Sequence, residues 1–161
     1  MRDLELPGRS PAHGTNGMAA TSHTLSTATA IDILRRGGNA MDAAIAACAV
    51  QCVVEPESTG IGGDNFCLYS KGGSDEIVAF NGSGKAPMAA TADWYLERGI
   101  TEFEQQSPHA CVIPGAVDAW VQLHRDHGTL SLRELLQPAI DYARGGYPVS
   151  SRVSLDFASQ V

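Results

Sequence analysis

Residues 37–63 read Gly-Gly-Asn-Ala-Met-Asp-Ala-Ala-Ile-Ala-Ala-Cys-Ala-Val-Gln-Cys-Val-Val-Glu-Pro-Glu-Ser-Thr-Gly-Ile-Gly-Gly, and this stretch decides the fold. Asn39 is a favourable N-cap, and Asp42 falls at the third helical position, where a carboxylate meets free backbone N–H groups. The alanines that follow make a helix that is apolar all round, which predicts burial and close packing on a sheet. Pro56 ends this helix, because the residue before a proline is pushed out of helical geometry.

A glycine-rich loop, Gly60-Ile61-Gly62-Gly63, closes the stretch. A dinucleotide-binding fingerprint lies between a strand and the helix that it opens, whereas this loop follows a helix and precedes a strand. No Gly-Lys-Ser/Thr follows the loop, so it is not a Walker-type phosphate loop either. We expect a sharp turn in which the backbone packs too closely for Cβ atoms.

The elements before this stretch are predicted from local signals. Residues 1–16 have no hydrophobic periodicity and are expected to form an extended N-terminal arm, followed by a short first strand over residues 17–22. A helix capped by Thr24 or Ser26 comes next. It stops at Gly37 and Gly38, since glycine adopts the left-handed conformation at little cost.

A hairpin and several helices are predicted after the glycine loop. The strands are expected over residues 65–70 and 76–81, and helices are expected to begin near Thr91, Pro114, Ser131 and either Ser150 or Ser151. The last helix runs into Val161, which is typical of a truncated chain. The pattern predicts one layered α/β (α+β) domain over residues 17–161, with helices first, then the hairpin, then helices.

Composition and charge limit the classes of partner that this chain is expected to bind. The chain has 161 residues, with 11 Lys and Arg against 18 Asp and Glu, and a formal net charge of -7. An acidic chain without a basic run does not favour nucleic acid or an anionic membrane as a partner. No apolar run approaches the roughly 20 residues that span a bilayer, and residues 1–7 lack the apolar core of a signal peptide. We therefore predict a cytoplasmic protein, or a periplasmic or secreted one if an export signal has been removed.

The cysteines and histidines do not form a recognisable metal site. Cys48 and Cys52 lie one helical turn apart, unlike the C-x-x-C spacing of zinc and redox sites, so the four cysteines are expected to be small buried residues. His124 and His127 could face one ion on a helix, but no third ligand is in sight, and a solvated helix end is the better interpretation. His23 is a weaker candidate for a site. Neither a metal nor a cofactor is predicted.

The segment Asn81-Gly82-Ser83-Gly84 contains a candidate nucleophile, Ser83. It is not the G-x-S-x-G nucleophile elbow, because it leads into Ala86-Pro87 and not into a helix. We therefore interpret this segment as a turn between the hairpin and the next helix, or as a turn that contacts a ligand.

Several segments together resemble the γ-glutamyltranspeptidase family, in family order and at family spacing, across nearly all of residues 17–161. They are Met18-Ala19-Ala20-Thr21-Ser22-His23, Ile33 to Ala44, Val54-Glu55-Pro56 with Gly60-Ile61-Gly62-Gly63, Ala86-Pro87, Val112 to Val117 and Leu135 to Ile140. The resemblance is to the N-terminal part of the family's large subunit.

This resemblance implies the N-terminal-nucleophile hydrolase fold, an αββα sandwich of which this chain forms a part. Such enzymes are made as a precursor that cuts itself into a large and a small subunit, and the new N-terminal Thr of the small subunit attacks a γ-glutamyl amide such as glutathione. The resemblance implies that no catalytic residue lies in this chain, which alone is expected to be inactive. The expected partners are the remainder of the large subunit, the small subunit and a small-molecule amide.

The resemblance also implies one substrate-binding position in this part of the family. In the family, an arginine that binds the donor's α-carboxylate lies four residues before the proline that matches Pro87. In this chain the residue at that position is Ser83. Lys85 lies nearby and offers a point charge without the fork geometry of arginine. Ser83 and Lys85 are therefore the predicted substrate-binding residues. Some relatives that resemble cephalosporin acylases also carry a serine-glycine-basic turn.

Three functions stay open from the sequence. The first is part of an enzyme that hydrolyses or transfers the γ-glutamyl group of glutathione and related amides. The second is a glutaryl or cephalosporin-type acylase of the same superfamily, which Ser83 would permit. The third is a non-catalytic, truncated scaffold or binding domain.

Overall fold

The computed structural model of the chain describes residues 11–104 and 107–158. Within these residues the helices are α1 (Thr24–Arg35), α2 (Ala40–Val54), α3 (Ala92–Leu96), α4 (Ala116–His127), α5 (Leu132–Gly145) and α6 (Ser151–Ala158). The strands are β1 (Asn65–Ser70) and β2 (Ile77–Gly82), and short 3₁₀ turns cover Lys71–Gly73 and Pro108–Ala110. The predicted α/β order of helices, hairpin and helices is confirmed.

Helix α2 is the centre of the core, and its predicted boundaries are confirmed. Asn39 caps it through a complete capping box, in which the Asn39 side chain accepts from the Asp42 amide at 3.0 Å and the Asp42 carboxylate accepts from the Asn39 amide at 2.9 Å. The helix ends at Val54, directly before Glu55 and Pro56. Helices α1 and α5 pack against it, and α4 contacts both α2 and the hairpin.

Asp42 also joins parts of the chain that are far apart in sequence. The carboxylate is 0% exposed and accepts hydrogen bonds from the amide and hydroxyl of Thr129 and from the amide of Leu130, in the connection between α4 and α5. Burial alone would raise the pKa of Asp42, but the hydrogen bonds from Thr129, Asn39 and Leu130 outweigh it and hold the pKa below its usual value. Asp42 therefore fixes α2 against the α4–α5 connection.

The two strands form an antiparallel hairpin with Asn65 opposite Gly82 and Ser70 opposite Ile77. The second strand begins one residue later than predicted. Side chains alternate between two faces of the hairpin. The inner face, which includes Cys67, Tyr69 and Phe80, packs against the helical core, and the outer face exposes Phe66, Leu68 and Ile77.

The structure corrects two predictions near the N-terminus. Residues 17–22 do not form a strand, because a strand needs a hydrogen-bonding neighbour and none of the described residues supplies one. Neither Thr24 nor Ser26 caps α1. The cap is His23, whose Nδ1 accepts from the Leu25 amide at 3.2 Å, while the buried Ser26 hydroxyl donates to the Ala47 carbonyl oxygen at 2.8 Å.

The predicted burial of the cysteines holds only in part. Cys48, Cys52 and Cys67 are half-buried at the edge of the core, and burial raises the pKa values of their thiols. Cys111 is exposed, so the prediction that it is buried was wrong. It follows the short turn Pro108–Ala110, outside the core.

The ends of the chain are described only in part. Residues 11–16 of the predicted arm are exposed and contain no helix or strand, and residues 1–10 lie outside the described residues. Helix α6 begins as predicted and is described as far as Ala158, so its predicted course into Val161 lies outside the described residues. No helix in the described part of the chain is long and apolar enough to cross a membrane.

Candidate functional site

The predicted substrate-binding residues line one open cavity of about 650 Å³ between the end of β2 and the start of α4. Its walls are Phe80, Asn81, Gly82, Ser83, Gly84, Lys85, Ile113, Pro114, Gly115, Asp118 and Gln122. The structure therefore brings Ser83 and Lys85 together in one cavity. It also adds two polar residues, Asp118 and Gln122, that the sequence did not single out.

The turn that carries Ser83 and Lys85 is fixed by its backbone. The Asn81 side chain accepts from the Ser83 amide at 3.0 Å, and the Lys85 carbonyl oxygen accepts from the Ile113 amide at 2.9 Å. Gly84 has a φ of +77°, and a Cβ atom there would lie 1.9 Å from the Ile113 carbonyl oxygen. Only glycine fits this position, so the local sequence sets the place from which Lys85 extends.

The start of α4 is held by the glycine-rich loop. The amides of Gly115 and Ala116 both donate to the Gly63 carbonyl oxygen, each at 3.0 Å. Gly115 also lies against the turn after β2, since a Cβ atom there would be 2.4 Å from the Gly82 carbonyl oxygen. These contacts fix the first turn of α4 beside Ser83.

The prediction that the backbone of the glycine-rich loop packs too closely for Cβ atoms was wrong for the described residues. A Cβ atom at Gly60, Gly62 or Gly63 would meet no atom within 4 Å, and none of the three has a positive φ. The close backbone approach lies instead at Gly84 and Gly115. The loop acts through its Gly63 carbonyl oxygen and not through crowding.

Asp118 and Gln122 form a pair on the cavity side of α4. They are four residues apart, and the Gln122 Nε2 donates to the Asp118 Oδ2 at 2.6 Å. The i, i+4 spacing after Pro114-Gly115 was visible in the sequence. The orientation of this pair toward Ser83 was not visible in the sequence, because the orientation depends on how α4 packs on the turn that carries Ser83.

The cavity contains one cation and one carboxylate among its lining residues, Lys85 and Asp118. The ion pairs of the described residues involve Arg36, Arg98, Arg125 and Arg152, and none joins Lys85 to Asp118 within 4.0 Å. Ser83 is half-buried, and its hydroxyl makes only a 3.4 Å contact with the Gly84 carbonyl oxygen. Lys85 and Ser83 are thus open to a ligand.

A larger cavity, of about 740 Å³, lies between residues 16–21 and helices α1 and α2. Its lining is mainly alanine, glycine and aliphatic side chains, and none of the lining residues is charged. A charged ligand would find no counter-charge there. We therefore place the candidate site in the smaller cavity.

The histidines have structural contacts. The His124 Nε2 lies 2.6 Å from the Leu130 carbonyl oxygen, and the His127 ring packs on Tyr69 with 4.8 Å between ring centroids. His23 is buried as the cap of α1, and its Nε2 has no hydrogen-bond partner among the described residues. In the described part of the chain, no three His, Cys, Asp or Glu side chains are grouped so as to hold a metal ion.

Comparison with known proteins gives the family. The sequence model of the γ-glutamyltranspeptidase family matches residues 26–161. The chain is 38% identical over 138 residues to the glutathione hydrolase-like YwrD proenzyme of Bacillus subtilis, covering 86% of this chain and 26% of that protein. The chain thus spans about a quarter of the length of this relative.

Two solved structures have the same fold as this chain. The γ-glutamyltranspeptidase of Helicobacter pylori superimposes with a TM-score of 0.83 at 31% identity, covering 93% of this chain and 44% of that one. The cephalosporin acylase of Bacillus halodurans superimposes with a TM-score of 0.80 at 36% identity, covering 97% of this chain and 30% of that one.

The fold is therefore that of the N-terminal-nucleophile hydrolases, of which the described residues form a part. Within that class, the chain belongs to the γ-glutamyltranspeptidase family and corresponds to the N-terminal part of its large subunit.

Proposed function

We propose that this chain is part of an enzyme that hydrolyses or transfers the γ-glutamyl group of glutathione and related amides. Membership of the family and the match to proenzymes support the proposal. In such an enzyme the precursor cuts itself, and the N-terminal Thr of the small subunit attacks the amide to give an acyl-enzyme. This chain supplies scaffold and one wall of the donor pocket, and alone it does not turn over substrate.

One observation supports assigning donor binding to particular residues. Ser83, at the position of the family's carboxylate-binding arginine, lines a cavity together with the cation Lys85. The ammonium group of Lys85 compensates the donor's carboxylate as a point charge, and the Ser83 hydroxyl can donate a hydrogen bond to the same group. These two side chains bind and orient the donor but take no part in bond breaking.

The partners of the chain follow from the same proposal. The nucleophile and the oxyanion donors come from the remainder of the precursor, which supplies the rest of the large subunit and the small subunit. The substrate is a small molecule. No nucleic acid or membrane takes part.

The test uses the full-length protein that carries this chain. We expect self-cleavage into two subunits on a denaturing gel, followed by hydrolysis of γ-glutamyl-p-nitroanilide. A protein that stays uncleaved and releases no p-nitroaniline would overturn the proposal and favour a non-catalytic scaffold or binding domain.

A second candidate is an acylase that acts on glutaryl or cephalosporin-type amides. It is favoured by the serine in place of the arginine and by the likeness to a cephalosporin acylase. If Ser83 decides between the two functions, Ser83→Arg should raise the kcat/KM for γ-glutamyl-p-nitroanilide relative to that for the glutaryl amide. An unchanged or lower ratio would show that Ser83 is not the specificity switch.

A further inference from the structure

We infer that the buried carboxylate of Glu55 forms an ion pair with an arginine or lysine side chain from the remainder of the precursor. The chain covers 26% of the YwrD proenzyme, so most of the side chains that could meet Glu55 lie outside it. The inference goes beyond the proposed function, since it needs the longer polypeptide but not its catalysis.

Helix α2 carries a buried carboxylate at each end, and the two carboxylates are stabilised to different extents. Asp42, which is 0% exposed, lies in the first turn and accepts from backbone amides, among them those of Asn39 and Thr129. The positive end of the helix dipole also favours a negative charge there. Glu55, which is 6% exposed, caps the other end, where the dipole opposes a negative charge. Glu55 therefore needs a stabilising partner that Asp42 does not need.

The donors to the Glu55 carboxylate are neutral side chains, and both meet the same oxygen atom. The Ser22 hydroxyl and the Gln51 Nε2 donate to Oε2, the latter at 3.0 Å. Oε1 accepts no hydrogen bond from the described residues. It is also not one of their two fully buried unpaired side-chain atoms, which are the His23 Nε2 and the Trp120 Nε1. Oε1 is therefore open at the surface, and it can accept from two donors.

No ion pair among the described residues includes Glu55, and the last turn of α2 contains no basic residue. Burying an ionised carboxylate is costly unless a charged partner compensates it. Glu57, two residues further on, adds a second negative charge to this end of the helix. A cationic side chain that contacts Oε1 supplies the missing charge, whereas an apolar or acidic side chain would leave the carboxylate uncompensated.

The position of this ion pair suits a contact between segments. The Glu55 carbonyl oxygen accepts from the amides of Ser58 and Thr59, so Glu55 also begins the turn that leads into the glycine-rich loop. A cation bound to Glu55 fixes the end of α2 and the start of this loop against the remainder of the precursor.

The main experiment measures the Tm of the full-length protein and of Glu55→Gln, Ser22→Ala and Glu57→Gln at one scan rate. Glutamine keeps the size of glutamate and one acceptor oxygen, but it carries no charge. We expect Glu55→Gln to lower the Tm by about 5 °C or more, because a buried cation is left unpaired. Ser22→Ala removes only a neutral donor and should lower the Tm by less. Glu57 is exposed, so Glu57→Gln should shift the Tm by about 2 °C at most.

The 161-residue chain provides the second comparison, because it lacks the proposed partner. In this chain Glu55→Gln should leave the Tm unchanged or raise it, since it removes a buried charge that has no counter-charge. An equal loss in both proteins would overturn the inference, because the cation would then belong to this chain, for example to the arginines of residues 1–10. A full-length Tm that Glu55→Gln leaves unchanged, or lowers less than Ser22→Ala does, would also overturn it.

Hydrolysis of γ-glutamyl-p-nitroanilide by the same full-length protein separates this inference from the proposed function. If the protein hydrolyses the amide and Glu55→Gln leaves its Tm unchanged, only the ion pair is contradicted. If the protein hydrolyses no amide but Glu55→Gln lowers the Tm in the full-length protein alone, the ion pair is supported and the proposed catalysis is contradicted.

Discussion

The helical part of the chain and the β-hairpin bury their apolar side chains to different extents. Helices α1, α2 and α5 share a closed core in which Ile33, Val50 and Leu135 are each 0% exposed. Neither strand of the hairpin contains a buried residue, and Leu68 is 79% exposed. The helical part therefore has a closed apolar core, whereas the hairpin is supported on one face only.

The outer face of the hairpin has the composition of a surface that becomes covered. Phe66, Leu68 and Ile77 alternate with the inner side chains, and strands that are apolar on both faces are typical of sheets covered on both sides. This chain covers 44% of the Helicobacter pylori chain. We propose that the remainder of the precursor packs on this face, next to the cavity that contains Ser83 and Lys85.

The largest expected effect comes from one substitution made in both regions. In the 161-residue chain, Leu135→Ala should lower the free energy of unfolding by about 2–5 kcal/mol, because it leaves a cavity in the closed core. Leu68→Ala should change it by less than about 0.5 kcal/mol, because the side chain is already in water. Urea denaturation measures both, and equal losses would contradict the difference between the regions.

The same leucine tests whether the hairpin is covered. In the full-length protein, Leu68→Ala should become destabilising by about 2 kcal/mol or more if its side chain is buried there. An effect as small as that in the 161-residue chain would show that the outer face stays open to solvent.

The second prediction concerns the buried carboxylate of the helical part. Asp42→Ala should cost about 1.5–3 kcal/mol, because it removes charge-assisted hydrogen bonds from Thr129 and Leu130. The folded-state pKa of Asp42 is lowered, so its contribution is fully present above the usual value of 3.8 and is lost as the pH falls through the folded-state pKa. Urea midpoints measured from pH 7 to pH 2 test this.

The control for that pH series is Asp141→Asn on the exposed face of α5. It should show the same acid-dependent loss of stability as the unaltered chain, whereas Asp42→Ala should lack part of that loss. Identical acid profiles for the unaltered chain and Asp42→Ala would contradict the role of Asp42.

The third prediction compares two glycines that flank the hairpin, Gly84 in the turn after β2 and Gly62 in the loop before β1. Gly84→Ala should cost about 1–3 kcal/mol, since alanine would be strained at φ +77° and its Cβ atom would meet the Ile113 carbonyl oxygen. Gly62→Ala should change the unfolding free energy of the 161-residue chain by less than about 0.5 kcal/mol, because nothing lies within 4 Å of the added atom. A larger loss of stability for Gly62→Ala than for Gly84→Ala would contradict the assignment of the close backbone approach to Gly84.

The sequence predicts what depends on neighbours along the chain. Asn39, Asp42 and Pro56 lie within or next to α2, and they define its start and its end without reference to the rest of the fold. Asn39 caps the helix as expected, and Asp42 completes a capping box with it. Helix α5 likewise begins beside Ser131, as expected, where Ser131 and Glu134 form a capping box.

The sequence could not predict contacts between distant segments. Thr129 lies 87 residues from Asp42, and no local pattern indicates that they meet. The strand expected over residues 17–22 was wrong because its formation depends on a partner strand. Asp118 and Gln122 were missed because the cavity exists only once α4 packs on the turn that carries Ser83.

Lys85→Ala in the full-length protein tests the division between scaffold and site most directly. We predict that the KM for γ-glutamyl-p-nitroanilide rises about tenfold, because the donor carboxylate loses its charged partner. The free energy of unfolding should stay within about 0.5 kcal/mol, because Lys85 is exposed. An unchanged KM would contradict the assignment of the donor site to this end of the hairpin.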